Sequence, residues 1–257
     1  MLRARIIPCL LVRNGGLVKT RRFSEDKYVG DPINAVRIFN EKEADELIVL
    51  DIDATAHNRE PNYKMIEHLA AECRMPLCYG GGVRSADQAK RIMSLGVEKV
   101  AASAAVVRNP SLITQIATQV GSQSVVAVLD VKQHSGGAYR VHVNNGKEDT
   151  GRDPVEFARE LESLGVGELV INSIDRDGVM KGYDLTLAER IRDVTNVPLT
   201  VLGGAGTLSD LAKLVAKFGV IGAAAGSLFV LKGPFRAVLI SYPSQAERNT
   251  LRDGPPK

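Results

Sequence analysis

Short apolar runs alternate with amphipathic stretches along the chain, and the two kinds of segment have the periods of strands and helices. Eight runs read as strands: RIIPCLLV (5–12), ELIVLDI (46–52), PLCYG (76–80), KVAASA (99–104), SVVAVLDV (124–131), ELVINSI (168–174), PLTVLG (198–203) and VIGAAAG (220–226). Between them lie PINAVRIFNEKEA, SADQAKRIMSLG, DPVEFARELESLG and LSDLAKLVAKFG, whose apolar residues recur at helical spacing and which close near a glycine or a charged end. Eight strands, each followed by a helix, predict an α/β fold of the (β/α)8 barrel type. Such a barrel has about 250 residues, which fits a chain of 257 as a single domain over 1–257.

The chain also repeats itself. YGGGVRSADQAKRIMSLGVEKVAASAA, from Tyr79, and LGGAGTLSDLAKLVAKFGVIGAAAGSL, from Leu202, pair Gly80 with Gly203, Ala89 with Ala212, Lys90 with Lys213 and Gly96 with Gly219 at one offset. DELIVLDID and GELVINSID pair Glu46 with Glu168 and Asp53 with Asp175. The repeat predicts two homologous (β/α)4 halves, about 1–122 and 123–240. Aligning RIIPCLLV with SVVAVLDV, the first strand of each half, sets Leu11 opposite Asp130. Residues 138–151, AYRVHVNNGKEDTG, alternate in polarity around Asn145-Gly146 and predict a small hairpin before the fifth helix. The polar tail, 244–257, reads as a frayed end.

Composition narrows the functional classes. With 44% apolar and 25% charged residues the chain can bury a large core, and 33 basic against 30 acidic residues leave a net charge of only +3. That balance carries no nucleic-acid or membrane footprint; a phosphorylated or nucleotide-linked small molecule would need only a local site. Cys9, Cys73 and Cys78 lack CxxC spacing, and His57, His68, His134 and His142 are scattered, so neither a metal site nor a redox cofactor is expected. No apolar run approaches the ~20 residues of a membrane span, IIPCLLV is short for a signal core, and reduced thiols suit a cytoplasmic location.

In a barrel of this kind the active face lies at the carboxyl ends of the strands. Gly80-Gly81-Gly82 and Gly203-Gly204-Ala205-Gly206 leave strands three and seven and enter helices, where exposed amides can hold phosphate. Ser103, Gly226 and Ser227 end the neighbouring strands. Gly81, Gly82, Gly204 and Gly206 are therefore phosphate-binding candidates, with turn geometry as the alternative. The same face carries Asp51, Asp53, Asp130, Ser173, Asp175 and Asp177, with Lys19 on the first loop. Asp130 follows four apolar residues, which favours desolvation, a raised pKa and proton transfer; the alternative is a carboxylate capping a loop. At the opposite ends Arg5, Glu46, Lys99 and Glu168 begin strands. Two cations and two anions form either a neutral ring across the barrel floor or separately solvated charges on its rim.

RIIPCL, GLVK, GDP, ADELIVLDI, GGGVRS, AAVVRNP, GELVINSIDRDG, GYDL, VLGGAG and GSLF occur in this order to about residue 235. In them the chain resembles the cyclase subunit of imidazole glycerol phosphate synthase, the histidine-pathway enzyme that receives ammonia from a glutaminase. The resemblance implies that Arg5, Glu46, Lys99 and Glu168 form a charged gate to an ammonia passage, that Lys19 is the mobile-loop lysine, and that Asp130 is one of two catalytic aspartates. Leu11 stands at the other. Ser103 stands where the family commonly has asparagine, and Leu202 where it has a small polar residue. Leucine transfers no proton, and loss of a positioned acid or base costs about 10²- to 10⁴-fold.

CLLVRNGGLVKT, LDIDAT, NREPNY, AECRMPLCYGGG and VLGGAGTL resemble a branch of cyclase-like proteins linked to acetamidino modification of bacterial surface sugars. That resemblance implies a glutaminase at the N-terminal face of the barrel, ammonia conducted through it, and an ATP-using sugar amidotransferase as a third component. The expected function is thus an ammonia-conducting synthase subunit of a glutamine-dependent amidotransferase. The alternatives are a working cyclase and a barrel that only activates its glutaminase.

Overall fold

The computed structural model describes residues 3–253. Eight parallel strands form its centre: β1 (Arg5–Arg13), β2 (Leu47–Asp51), β3 (Leu77–Gly80), β4 (Lys99–Ala102), β5 (Val125–Gln133), β6 (Glu168–Ser173), β7 (Leu199–Leu202) and β8 (Gly222–Ala225). Each pairs with the next, and β8 closes on β1 with Arg5 opposite Gly222, which makes the expected barrel. Around it lie α1 (Pro32–Glu41), α2 (Tyr63–Glu72), α3 (Ala86–Ser94), α4 (Leu112–Val120), α5 (Pro154–Ser163), α6 (Leu185–Arg192), α7 (Leu208–Phe218) and α8 (Gln245–Asp253). Asp31, Asn62, Ser85, Asp153, Asp184 and Thr207 cap six of these helices by accepting first-turn backbone N–H bonds.

Alternation along each strand produces two cores. Outward residues such as Leu10, Val49, Leu77 and Leu169 pack with Phe39, Ile66, Phe157 and Leu214 of the helices. Inward residues, among them Ile7, Ile48, Cys78, Val126 and Val170, fill the barrel itself. Because both faces are buried, the strands read as continuous apolar runs, the pattern typical of parallel sheets. Among the described residues no helix is long and apolar enough to cross a membrane.

Among the described residues, hairpins follow β1, β5 and β8, the last a short pairing of Leu231–Lys232 with Ala237–Val238. The expected one pairs Tyr139–Val143 with Glu148–Asp149 and lies antiparallel to the end of β5. The first loop is a hairpin as well: Gly16–Arg21 turns back on β1 through Asn14 and Gly15, with φ of 49° and 78°, and pairs with Ser24–Gly30. Asn-Gly at two left-handed positions is the favoured tight hairpin turn, so Lys19, expected on the first loop, sits on a strand within that loop.

The tail requires a second correction. Residues 245–253 are helical, and α8 packs beside α7 as the eighth barrel helix; 254–257 lie outside the described residues. Its inner face is built from Arg248, Leu251 and Arg252 instead of an apolar stripe. Arg248 donates to the carbonyls of Lys42 and Pro243 at 3.2 and 3.0 Å. Arg252 donates to the Ala4 carbonyl at 3.1 Å and pairs with Asp45, whose carboxylate also accepts the Ile6 N–H at 2.8 Å.

Candidate functional site

At the floor of the barrel Arg5, Lys99 and Glu168 open their strands and Glu46 immediately precedes β2, so all four occupy inward register positions. They close a ring. Arg5 pairs with Glu46 and, at 2.7 Å, with Glu168; Lys99 reaches both glutamates at 2.8 Å. Thr200 donates its hydroxyl to Glu168 at 2.5 Å. The glutamate side chains are 4% exposed, against 26% for Arg5 and 19% for Lys99, so the anions lie inside and the cations face outward. Burial alone would push the Glu168 carboxyl up, but its bonds with Arg5 and Lys99 outweigh that and hold it below the usual carboxylate range. Burial would lower Lys99, and the two glutamates reverse the sign. The four charges are paired with one another, in place of the separately solvated rim that spacing alone allowed.

At the other end Leu11, Lys19, Gly81, Gly82, Ser103, Asp130, Asp177, Gly204, Gly226 and Ser227 line one cleft. Asp130 is half-buried there among Leu11, Val128 and Leu202; this burial pushes its carboxyl up to about 7, although the Asn172 amide, donating to it at 2.9 Å, works in the opposite direction. A carboxyl in that range can both give and take a proton near neutral pH. The Asn172 carbonyl oxygen is buried and has no protein partner among the described residues. It is a polar group of the cleft that the sequence analysis missed, as it missed Arg13, Thr20, Thr55 and Asn144, although Glu168, Val170 and Asn172 share the inward phase of β6. Leu11 occupies the inward phase of β1 and is 9% exposed.

Lys19 is buried and donates to the Cys9 carbonyl at 2.8 Å, and burial lowers its pKa. A Cβ on Gly226 would stand 2.0 Å from the Lys19 nitrogen, so glycine there makes room for this lysine. Asp177 accepts from the Thr20 hydroxyl at 2.7 Å and from the Phe23 N–H at 3.3 Å, which ties the first hairpin to the loop after β6.

The glycine runs have a local explanation. Gly81 and Gly204 have φ of +123° and +110°, and a Cβ would fall 2.5 Å from the Asp51 carbonyl and 2.2 Å from the Gly182 carbonyl. The Gly82 N–H is taken by the Thr55 hydroxyl at 3.2 Å. Gly206 does not line the cleft, and its N–H donates to Asp210 at 3.0 Å within the cap of α7. The Gly206 N–H is thus engaged within the helix cap, and a Cβ there would fall 2.5 Å from the Met180 carbonyl. Ser103 and Ser227 face the cleft at the start of the short helices Ala104–Arg108 and Ser227–Val230.

Other carboxylates hold loops. Asp51 lines the cleft but accepts the N–H groups of Asp53 and Ala54, both at 3.1 Å; Asp53 pairs with Arg13 at 3.1 Å. Asp175 accepts the Gln133 N–H at 2.8 Å, and Ser173 is buried without lining the cleft. His134 and His142, scattered in sequence, are brought side by side with Asp149 by the antiparallel hairpin.

A profile of the family described as histidine biosynthesis protein matches residues 5–235. A Vibrio vulnificus protein provisionally named imidazole glycerol phosphate synthase subunit hisF3 is 56% identical over 249 residues, 96% of each chain. One from Pseudomonas aeruginosa, provisionally named as subunit hisF2, is 55% identical over 95% of this chain and 97% of its own. The Alkaliphilus metalliredigens protein named imidazole glycerol phosphate synthase subunit HisF is 41% identical over 89% of this chain and 91% of its own. With the closed barrel, these matches place the chain in the histidine biosynthesis family, as a HisF-like relative of the cyclase subunit of imidazole glycerol phosphate synthase.

Proposed function

We propose that the protein is the synthase subunit of a cytoplasmic glutamine-dependent amidotransferase, one that conducts ammonia without efficient ring-closing chemistry of its own. The observation that carries this reading is the pairing of a complete charge ring at the floor with a leucine at position 11 in the mouth. A glutaminase docked at the N-terminal face would release NH3 against the ring. Displacing one ion pair would open a way into the apolar interior around Ile7, Ile48, Val126 and Val170, which admits neutral NH3 more readily than ammonium. At the mouth Asp130 would handle a proton, and Asn172 would orient an amide-bearing or hydroxyl-bearing acceptor through its unpaired oxygen. By its motifs the acceptor is an acetamido sugar of a surface polysaccharide, amidinated with an ATP-using sugar amidotransferase as third component.

A second reading, a working cyclase, is favoured by the 41% identity to a named cyclase-family subunit and by an Asp130 able to act as acid and base. Purified protein given ammonium salt and the phosphoribosyl formimino substrate separates the two. The conduit reading predicts turnover at least 100-fold below an ordinary rate of ~10 s⁻¹, with a gain in Leu11→Asp; turnover of ~1 s⁻¹ or more by the natural chain overturns it.

A further inference from the structure

We propose that His134, His142 and Asp149 form a site for a borderline divalent transition ion of the Zn²⁺ class, and that the ion braces the 139–149 hairpin over the barrel mouth. His134 directly follows β5, His142 lies on the first arm of the hairpin and Asp149 on the second, so one ion would join three chain segments. The Nε2 atoms of the two histidines are 3.0 Å apart, and His134 Nε2 is 3.6 Å from Asp149 Oδ2.

The tautomer of His142 follows from its partner. Its Nδ1 lies 3.1 Å from the Gly146 carbonyl, which can only accept, so Nδ1 carries the hydrogen and Nε2 presents a lone pair. A backbone carbonyl on the distal nitrogen is the usual support for a metal-bound imidazole. His142 is 4% exposed, so this nitrogen is oriented and largely dry. Asp149 is oriented too: it accepts the Gly151 N–H at 2.8 Å on one oxygen and Arg140 at 2.8 Å on the other. Arg140 is 47% exposed and would remain as an outer partner of the bound carboxylate or swing into solvent.

Two imidazoles on a tetrahedral ion, with bonds of about 2.0–2.1 Å, hold their nitrogens about 3.4 Å apart. Seating an ion therefore requires a movement of a few tenths of an ångström and an in-plane tilt, which the half-exposed ring of His134 can make. Two imidazoles and one carboxylate select Zn²⁺, Co²⁺ or Ni²⁺ over Mg²⁺ or Ca²⁺, and the fourth position would be left to water. The hairpin contributes Val143, Asn144 and Asn145 to the cleft, and Asn145 donates to the Ile52 carbonyl at 3.1 Å on the far side of the mouth. Fixing its arms would fix one wall of the cleft.

The test uses the full chain, stripped with a chelator and titrated with Zn²⁺ and with Co²⁺. The expected result is one ion per chain at micromolar or tighter affinity, visible Co²⁺ absorption, and at least 100-fold weaker binding in His134→Ala and His142→Ala. His68→Ala, an exposed change on α2, should bind as the natural chain does. Because His134 is partly exposed, its variant remains informative even if His142→Ala fails to fold. No stoichiometric binding, or binding unchanged in His134→Ala, overturns the site. Hydrogen exchange at 139–149 should slow with Zn²⁺ and not with Mg²⁺; equal exchange with and without Zn²⁺ overturns the brace.

Discussion

In the mouth of the barrel, burial sets the protonation of one carboxyl. Asp130 has a folded pKa of about 7, above the ordinary aspartate value of 3.8, because burial disfavours its anion. Between those values the folded chain binds more protons than the unfolded chain, so this group makes stability fall as pH rises from about 4 to about 7. At pH 8 the penalty is complete. It amounts to at most about 4 kcal/mol, less the screening by water in the open cleft. Asp130→Asn should therefore unfold at higher denaturant than the natural chain at pH 8 and gain less than half as much at pH 5. An equal effect at both pH values would contradict the assignment. Asp130 was legible in sequence from the apolar run before it. Asn172, its hydrogen-bond partner, was hidden because reading β6 as one apolar run conceals the phase that faces inward.

At the scale of elements, one cause of concealment is that polar side chains do the packing. The strands and α1, α3, α5 and α7 were recognisable because their buried positions are apolar. The eighth helix was not, since its inner face carries Arg248 and Arg252, whose guanidinium groups donate to carbonyls and to Asp45. Removing one member of a buried pair strands the other, typically at a cost of about 3–5 kcal/mol. Arg252→Ala should lower unfolding free energy by about this amount, and pairing it with Asp45→Ala should restore part of the loss in a double-mutant cycle. Strict additivity would contradict the coupling. The first hairpin was concealed differently: Asn14-Gly15 signals a tight turn, but Ser24–Gly30 is a polar strand without alternation.

At the scale of the molecule the barrel separates two chemistries by its length. The floor is an ion-paired ring with its carboxylates inside, the interior is apolar, and the mouth offers a neutral-range carboxyl beside a leucine. The repeat at an offset near 123 residues made the barrel and the floor positions readable, because charges opening strands are conspicuous in apolar runs. Whether those charges paired depended on register, which spacing does not give. The conduit account requires that nitrogen cross this axis without mixing with solvent. Its most direct test supplies the complex with amide-¹⁵N glutamine and an excess of unlabelled ammonium, and reads the isotope in the amidinated sugar. The account predicts that the product keeps the glutamine label with the natural chain and loses it with Lys99→Met while glutamine hydrolysis continues. Product nitrogen that follows the bulk ammonium pool with the natural chain would contradict it.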